Sequence, residues 1–132
     1  MKKSIIFLML IGLFVSCDNE NENKSATELI GTWKLIEISA APGNSSQSFK
    51  PVQSNKTLEF KSNGTIVTNT SLCDPYSDEV KSSGSFSMAT SSITTNCQNP
   101  NIATISFELK NGDLILNFIS NEGYSQKFQK SN

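Results

Sequence analysis

The 132-residue chain carries 11 basic and 12 acidic residues for a formal net charge of −1, and it contains neither His nor Arg. Without His it lacks the usual general base and the commonest metal ligand, and without Arg it lacks the planar clamp for phosphate and carboxylate groups. With no cluster of lysines, no Ser-x-x-Lys pair and no glycine-rich phosphate loop, the sequence gives no footprint for nucleic acid and reads as a non-enzyme without cofactor or metal. Paired carboxylates are the one catalytic arrangement its acids allow, and no pair stands out.

The first element is Lys2-Lys3, an apolar run from Ile5 to Val15, then Ser16 and Cys17, the order of an export signal. A helix needs about 20 apolar residues to cross a bilayer, so this run is too short to be a lasting span. Phe14-Val15-Ser16-Cys17 resembles the bacterial lipobox, with Phe14 where Leu is usual. That resemblance implies cleavage after residue 16 and lipidation of Cys17, because two or three acyl chains hold a protein on a membrane where one does not. Removing residues 1–16 leaves 116, with 9 lysines against 12 acids and a net charge of −3, enough chain for one domain. Residues 17–27 are too polar to offset the entropy of ordering and read as a flexible tether. They resemble the acidic stretch after the cysteine in many surface lipoproteins of Bacteroidetes-type bacteria. The expected location is the cell envelope, anchored in the outer membrane and either periplasmic or surface-exposed.

From residue 28 to 132 short β-rich runs alternate with turn residues, and no helical period persists. Leu29 to Ser39 comes first, with Gly31, Trp33 and Leu35 on one face, followed by a polar loop over residues 40–55. Thr57 to Lys61 and Thr65 to Leu72 flank Ser62-Asn63-Gly64 as a hairpin. Ser82 to Thr90 and Ser92 to Cys97 follow, both Ser-rich. Ile102 to Lys110, Asp113 to Ser120 and Tyr124 to Gln129 end the chain, separated by Asn111-Gly112 and Asn121-Glu122-Gly123. Alternation places Ile105, Phe107 and Leu109 on one face, and Leu114, Leu116 and Phe118 on one face of the next run. Tyr124, Gln126 and Phe128 share a face of the last. Turns this short predict an all-β, eight-stranded antiparallel up-and-down barrel, since closure removes the exposed edges of an open meander.

The three cysteines are odd in number for an exported chain, and lipidation of Cys17 reduces them to Cys73 and Cys97. These two either pair or remain buried thiols. On adjacent-strand geometry they sit at the same end of the barrel but two strand spacings apart, beyond the reach of a disulfide within the sheet. A bond between them therefore forms in the loops past the strand ends.

Leu29-Ile30-Gly31-Thr32-Trp33 resembles the Gly-x-Trp signature of lipocalins, in which the Trp plugs the closed end of the barrel. Phe60-Lys61-Ser62-Asn63-Gly64-Thr65 and Leu109-Lys110-Asn111-Gly112-Asp113-Leu114 agree with short lipocalin-like lipoprotein domains over about residues 28–130. Lipocalins stack an Arg on that Trp; here the resemblance leaves the place to Lys127 or Lys130. It implies a monomeric binding module for a small apolar or amphipathic ligand, held to the membrane by its lipid anchor. Trp33, Leu58, Phe60, Phe107, Leu116 and Phe118 are the candidate lining, each of which is also a candidate for plain core. The alternative is a solid barrel that docks a protein or glycan partner through its rim loops, residues 40–55 and 74–81. Asp74, Tyr76, Asp78 and Glu79 give the second loop an acidic and aromatic tip, with a weak Ca²⁺ site as a lesser option.

The anchor reading has a direct test. A Cys17→Ala chain is expected to lose incorporation of labelled acyl chains and to leave the membrane fraction; continued membrane retention would overturn it.

Overall fold

The computed structural model describes residues 26–40, 48–98, 104–118 and 123–132. The expected export signal, Cys17 and the tether as far as residue 25 lie outside the described residues. A helical turn over residues 26–29 takes in Ala26 and Thr27 and leads directly into the first strand. Leu29, fully buried, fixes this turn against the barrel.

Nine strands follow: β1 (Gly31–Ala40), β2 (Lys50–Pro51), β3 (Thr57–Phe60), β4 (Thr65–Thr68), β5 (Ser83–Ser87), β6 (Ser92–Thr95), β7 (Thr104–Lys110), β8 (Asp113–Phe118) and β9 (Tyr124–Lys130). Each neighbouring pair is antiparallel, and β1 also pairs with β9, which closes the sheet. The lower half of β1 bonds β3 through Gly31↔Phe60 to Lys34↔Thr57, and its upper half bonds β2 through Glu37↔Pro51 and Ile38↔Lys50. The strands β2 and β3 thus share one side of β1, and the nine strands make a barrel of eight staves. The 40–55 segment, expected to be loop throughout, contains β2. Two residues are too few to show a pattern, and Pro51 can pair only at such an edge, where no N–H is needed.

Two other strands are shorter than their sequence pattern suggests. The alternation of Thr65 to Leu72 continues past Thr68, but there side chains replace the ladder. Asn69 Oδ1 accepts from Thr57 N at 2.9 Å, Asn69 Nδ2 donates to Asn55 O at 2.7 Å, and Thr68 Oγ1 donates to Thr57 O at 2.7 Å. β5 stops at Ser87, and the Met88 carbonyl then accepts from Ser91 N in a turn in which Ser91 has φ +48°. The β7–β8 turn has the geometry Asn-Gly favours, with Asn111 at φ +54° and Gly112 at +85° between the paired Lys110 and Asp113.

The interior is apolar and filled in its lower half. Phe60 on β3 meets Phe86 on β5 at 5.0 Å and Phe107 on β7 at 6.0 Å, both edge to face, so rings span the barrel from one wall to the far one. Leu58, Ile66, Ile93, Ile105, Leu114 and Phe128 close around them with no exposed surface. At the foot, Trp33 Nε1 donates to Leu29 O at 2.8 Å, and Lys130 Nζ lies 5.4 Å from the Trp33 ring while donating to Glu28 O at 2.6 Å. Of the two lysines the sequence offered for this place, Lys130 takes it; Lys127 pairs instead with Glu37 and lies over the Phe49 ring on the outer wall.

Because Phe60 bridges opposite walls, its truncation cannot be absorbed by local collapse. Phe60→Ala is expected to cost about 3–5 kcal/mol of unfolding free energy, read from the urea midpoint at unchanged slope.

Candidate functional site

The up-and-down order divides the loops between two ends. Tight turns after β3, β5 and β7 gather at the foot beside Trp33, whereas residues 69–82 between β4 and β5 lie at the opposite end, the mouth. Residues 69–82 fold across that mouth. Leu72 N bonds Lys81 O at 2.7 Å, and Ser71 Oγ binds Glu79 O at 3.1 Å, Cys73 N at 3.1 Å and Lys81 N at 3.2 Å, so a single hydroxyl holds the two arms of the loop together. Asp74 turns its tip by accepting from Tyr76 N and Ser77 N, at 2.8 Å and 2.9 Å. The Tyr76 ring then meets the Tyr124 ring at 5.9 Å, and Tyr124 meets Phe118 at 5.7 Å. A loop rooted on β4 and β5 thereby touches β9, whose Tyr124 in turn meets β8, on the far side of the opening.

Cys73 and Cys97 fasten this loop. They are joined as a disulfide with Cα atoms 5.8 Å apart, and each lies past the end of its strand, in the loops rather than in the sheet. Closing a loop of this length, a separation of 24 residues, contributes about 3 kcal/mol on the chain-entropy account. Glu79 Oε2 adds a second tie by accepting from Gln98 N at 2.8 Å, and its other oxygen lies 3.5 Å from Lys81 Nζ. Asp74 and Glu79, read from sequence as possible cation ligands, are thus engaged by backbone and lysine partners of the two loops.

Below the loop the inner wall changes character. Leu116 on β8, Gln126 on β9 and Ile38 on β1 form one cross-strand row. Gln126 is 4% exposed; its Nε2 is 3.3 Å from the Tyr124 hydroxyl, and its Oε1 has no partner. On the wall of β3, Lys56 continues inward the alternation of Leu58 and Phe60, is 9% exposed, and donates to Ser71 O at 3.0 Å. Burial lowers its ammonium from the ordinary 10.5 to about 8. Between these two walls Leu72, 1% exposed, dips from the loop into the core. It rests against Gly84 of β5, where a Cβ would lie 2.6 Å from Thr94 O and 3.3 Å from Leu72 Cδ1, so only glycine leaves room.

The six candidate lining residues all belong to one apolar cluster with Leu72. Phe60 lies opposite Gly31 at the foot end of β3 and Trp33 opposite Leu58, Phe107 and Leu116 face each other across β7 and β8, and Phe118, paired with Tyr124, is nearest the mouth. As the chain stands they pack on one another. Sequence reasoning missed Lys56, Leu72 and the role of Gln126. The spacing Lys56-x-Leu58-x-Phe60 is a signal for the first, and Gln126 already shared a face with Phe128. Hollows among the described residues lie outside the interior. One of about 320 Å³ is lined by Trp33, Leu109 and Lys130 at the foot, and one of about 500 Å³ by Ile30, Phe86 and Met88 beside the helical turn.

The position of Lys56 has a measurable consequence. Below about 8 the lysine is protonated in both folded and unfolded chains, and the cost of burying its charge is present in full; between about 8 and 10.5 the unfolded chain holds the extra proton, so stability rises with pH. Lys56→Met is expected to be the more stable protein at neutral pH, and its advantage should shrink by about 3 kcal/mol across that window. Urea unfolding of both proteins over this pH range checks the difference.

Comparison with known proteins adds one finding to this geometry. A family model described as a lipocalin-like domain matches residues 29–116, from the helical turn to β8. No curated protein and no solved structure matches the chain.

Proposed function

Since the chain belongs to the lipocalin-like domain family, we propose that it is a non-catalytic binding module for one small apolar or amphipathic ligand, taken up at the mouth of the barrel beneath the residue 69–82 loop, and held on the outer membrane of a bacterium through lipidated Cys17. The observation that carries the reading is the composition of the mouth. An apolar wall that includes Leu116 and Phe118 is interrupted by a few inward polar groups, Lys56, Gln126 and Tyr124, the usual chemistry of a small-molecule site. The covering segment supports it, because a loop held by a disulfide at one side and ring contacts at the other can swing at the ring side while staying attached.

A second reading has one observation of its own. Tyr76 and Val80, the exposed large apolar side chains of the described residues, are both on the loop over the mouth, at 68% and 70% exposure. On this reading they dock a protein or glycan partner at the rim, and the barrel is a solid support.

Native mass spectrometry of protein purified from cells is expected to show the added mass of one small amphiphile. The same protein, once stripped, should bind a neutral naphthylamine probe and release it faster in a Tyr76→Ala variant. Absence of any non-covalent added mass, together with no probe binding, would overturn the small-ligand reading and leave the rim-docking one.

A further inference from the structure

We propose that the hollow beside the helical turn, outside the barrel, seats one acyl chain of the protein's own lipidated N-terminus, so that the anchor is partly withdrawn from a membrane when the seat is filled. This rests on the lipidation of Cys17 proposed above and adds a second place for the lipid to go.

The first argument is the chemistry of the hollow. It measures about 500 Å³, within the range of small-molecule sites, and it joins Ala26, Thr27 and Ile30 of the helical turn to Gly64, Phe86 and Met88. None of its described lining residues is charged. The two hollows of about 320 Å³ differ in this respect, one having Glu28 and Lys130 in its wall and the other Lys110, Asp113 and Lys127. A neutral, apolar occupant therefore suits the larger hollow. Ile30, Phe86 and Met88 pack against the core cluster on one side and remain only half-buried, which leaves apolar surface for such an occupant to cover.

The second argument is that the walls are fixed by backbone. Ile30 N bonds Ala26 O at 3.1 Å, which sets the helical turn, and Phe86 N bonds Gly64 O at 2.9 Å, which ties the β3–β4 turn to β5. The Phe86 ring is held from inside by Phe60 at 5.0 Å. An occupant enters a formed site and does not have to build it.

The third argument is what the chain delivers there. Ala26 and Thr27 line the hollow, so the polypeptide that comes from Cys17 arrives at its edge. Nine peptide steps separate Cys17 from Ala26 and reach at most about 30 Å. Residues 18–25, Asp-Asn-Glu-Asn-Glu-Asn-Lys-Ser, bring no apolar side chain, and the acyl chains on Cys17 are the apolar groups at the end of that length. Their encounter with the hollow is intramolecular, at an effective concentration on the order of millimolar. Two or three chains anchor a protein lastingly and one does so only marginally, so seating a single chain converts a diacyl anchor into a reversible one. The protein then passes more readily from one membrane to another.

The test uses the full chain, produced in bacteria fed a palmitate that carries a diazirine, purified and placed in vesicles of phosphatidylethanolamine and phosphatidylglycerol. Isotope-labelled and unlabelled chains are mixed before irradiation. Crosslinks are expected within one chain, to peptides that contain Ile30 or Met88. Met88→Asp should lose them and move to acceptor vesicles about tenfold more slowly, the effect of about two methylenes left unburied, while keeping native far-ultraviolet dichroism and Trp33 emission. Met88→Leu should keep both the crosslinks and the rate. Crosslinks confined to lipid, or equal transfer by wild type and Met88→Asp, overturn the seat and leave the anchor standing. Crosslinks to the mouth of the barrel, or between labelled and unlabelled chains, overturn it in favour of the interior or of a second copy. Failure to incorporate the fatty acid overturns the anchor, and the seat with it.

Discussion

Closure of the barrel depends on the pairing of β1 with β9, and that pairing depends on one extra residue. Trp33 and Leu35 face inward by simple alternation, which would next send Glu37 and Ser39 into the core and leave Ile38 outside. The bulge between Leu35 and Glu37 resets the phase. Ile38 then turns inward beside Gln126, and Glu37 turns outward to meet Lys127. The carbonyl of the extra residue, Ile36, does not go unused, because Val52 N bonds it at 3.0 Å as the chain passes from β2 toward β3. The same irregularity thus keeps the apolar side of β1 continuous and divides its other edge between two strands. Without it, closing the sheet would bury a carboxylate.

The two ends of the barrel are built by different means. The foot is local: short turns, a helical turn capped by Leu29, and the Trp33 indole tied to the chain that precedes it by four residues. Lys130 completes it by covering the indole and binding the Glu28 carbonyl, which joins the end of the last strand to the start of the first. A lysine is a weaker partner for an indole than a guanidinium, and here the carbonyl fixes its position. The mouth is non-local: a disulfide across 24 residues, a carboxylate spanning two loops, and rings that meet from opposite walls. Such contacts join segments that only closure of the barrel brings together. The base is thus built from neighbours in sequence and the opening from distant ones.

Lys56 is the clearest departure from what stability alone would select. A methionine in its place would bury the same stem without a charge, and the neighbouring inward residues, Leu58 and Phe60, show that the wall is otherwise apolar. A local cost of this kind is a mark of a site where function and stability pull in different directions. Gln126, buried with its Oε1 unpartnered, is a second inward polar group that packing alone does not explain.

The sequence by itself determined the class of fold and nearly every stave. Alternation in β7, β8 and β9 named the inward residues correctly, Asn111-Gly112 named a turn that only left-handed backbone can make, and Gly31-Thr32-Trp33 marked the foot. It also placed the bond between Cys73 and Cys97 in the loops, because strand spacing forbids it inside the sheet. These features are local, and period and turn chemistry report them directly. Tertiary structure alone decided the bulge in β1, the pairing of β2, the early end of β4, and which lysine meets Trp33. It also decided the mouth, where Leu72 fills the wall and Lys56 lies beneath the Ser71 carbonyl. Each of these depends on which distant backbone group comes within hydrogen-bonding reach once the barrel closes, and no period along the chain carries that information.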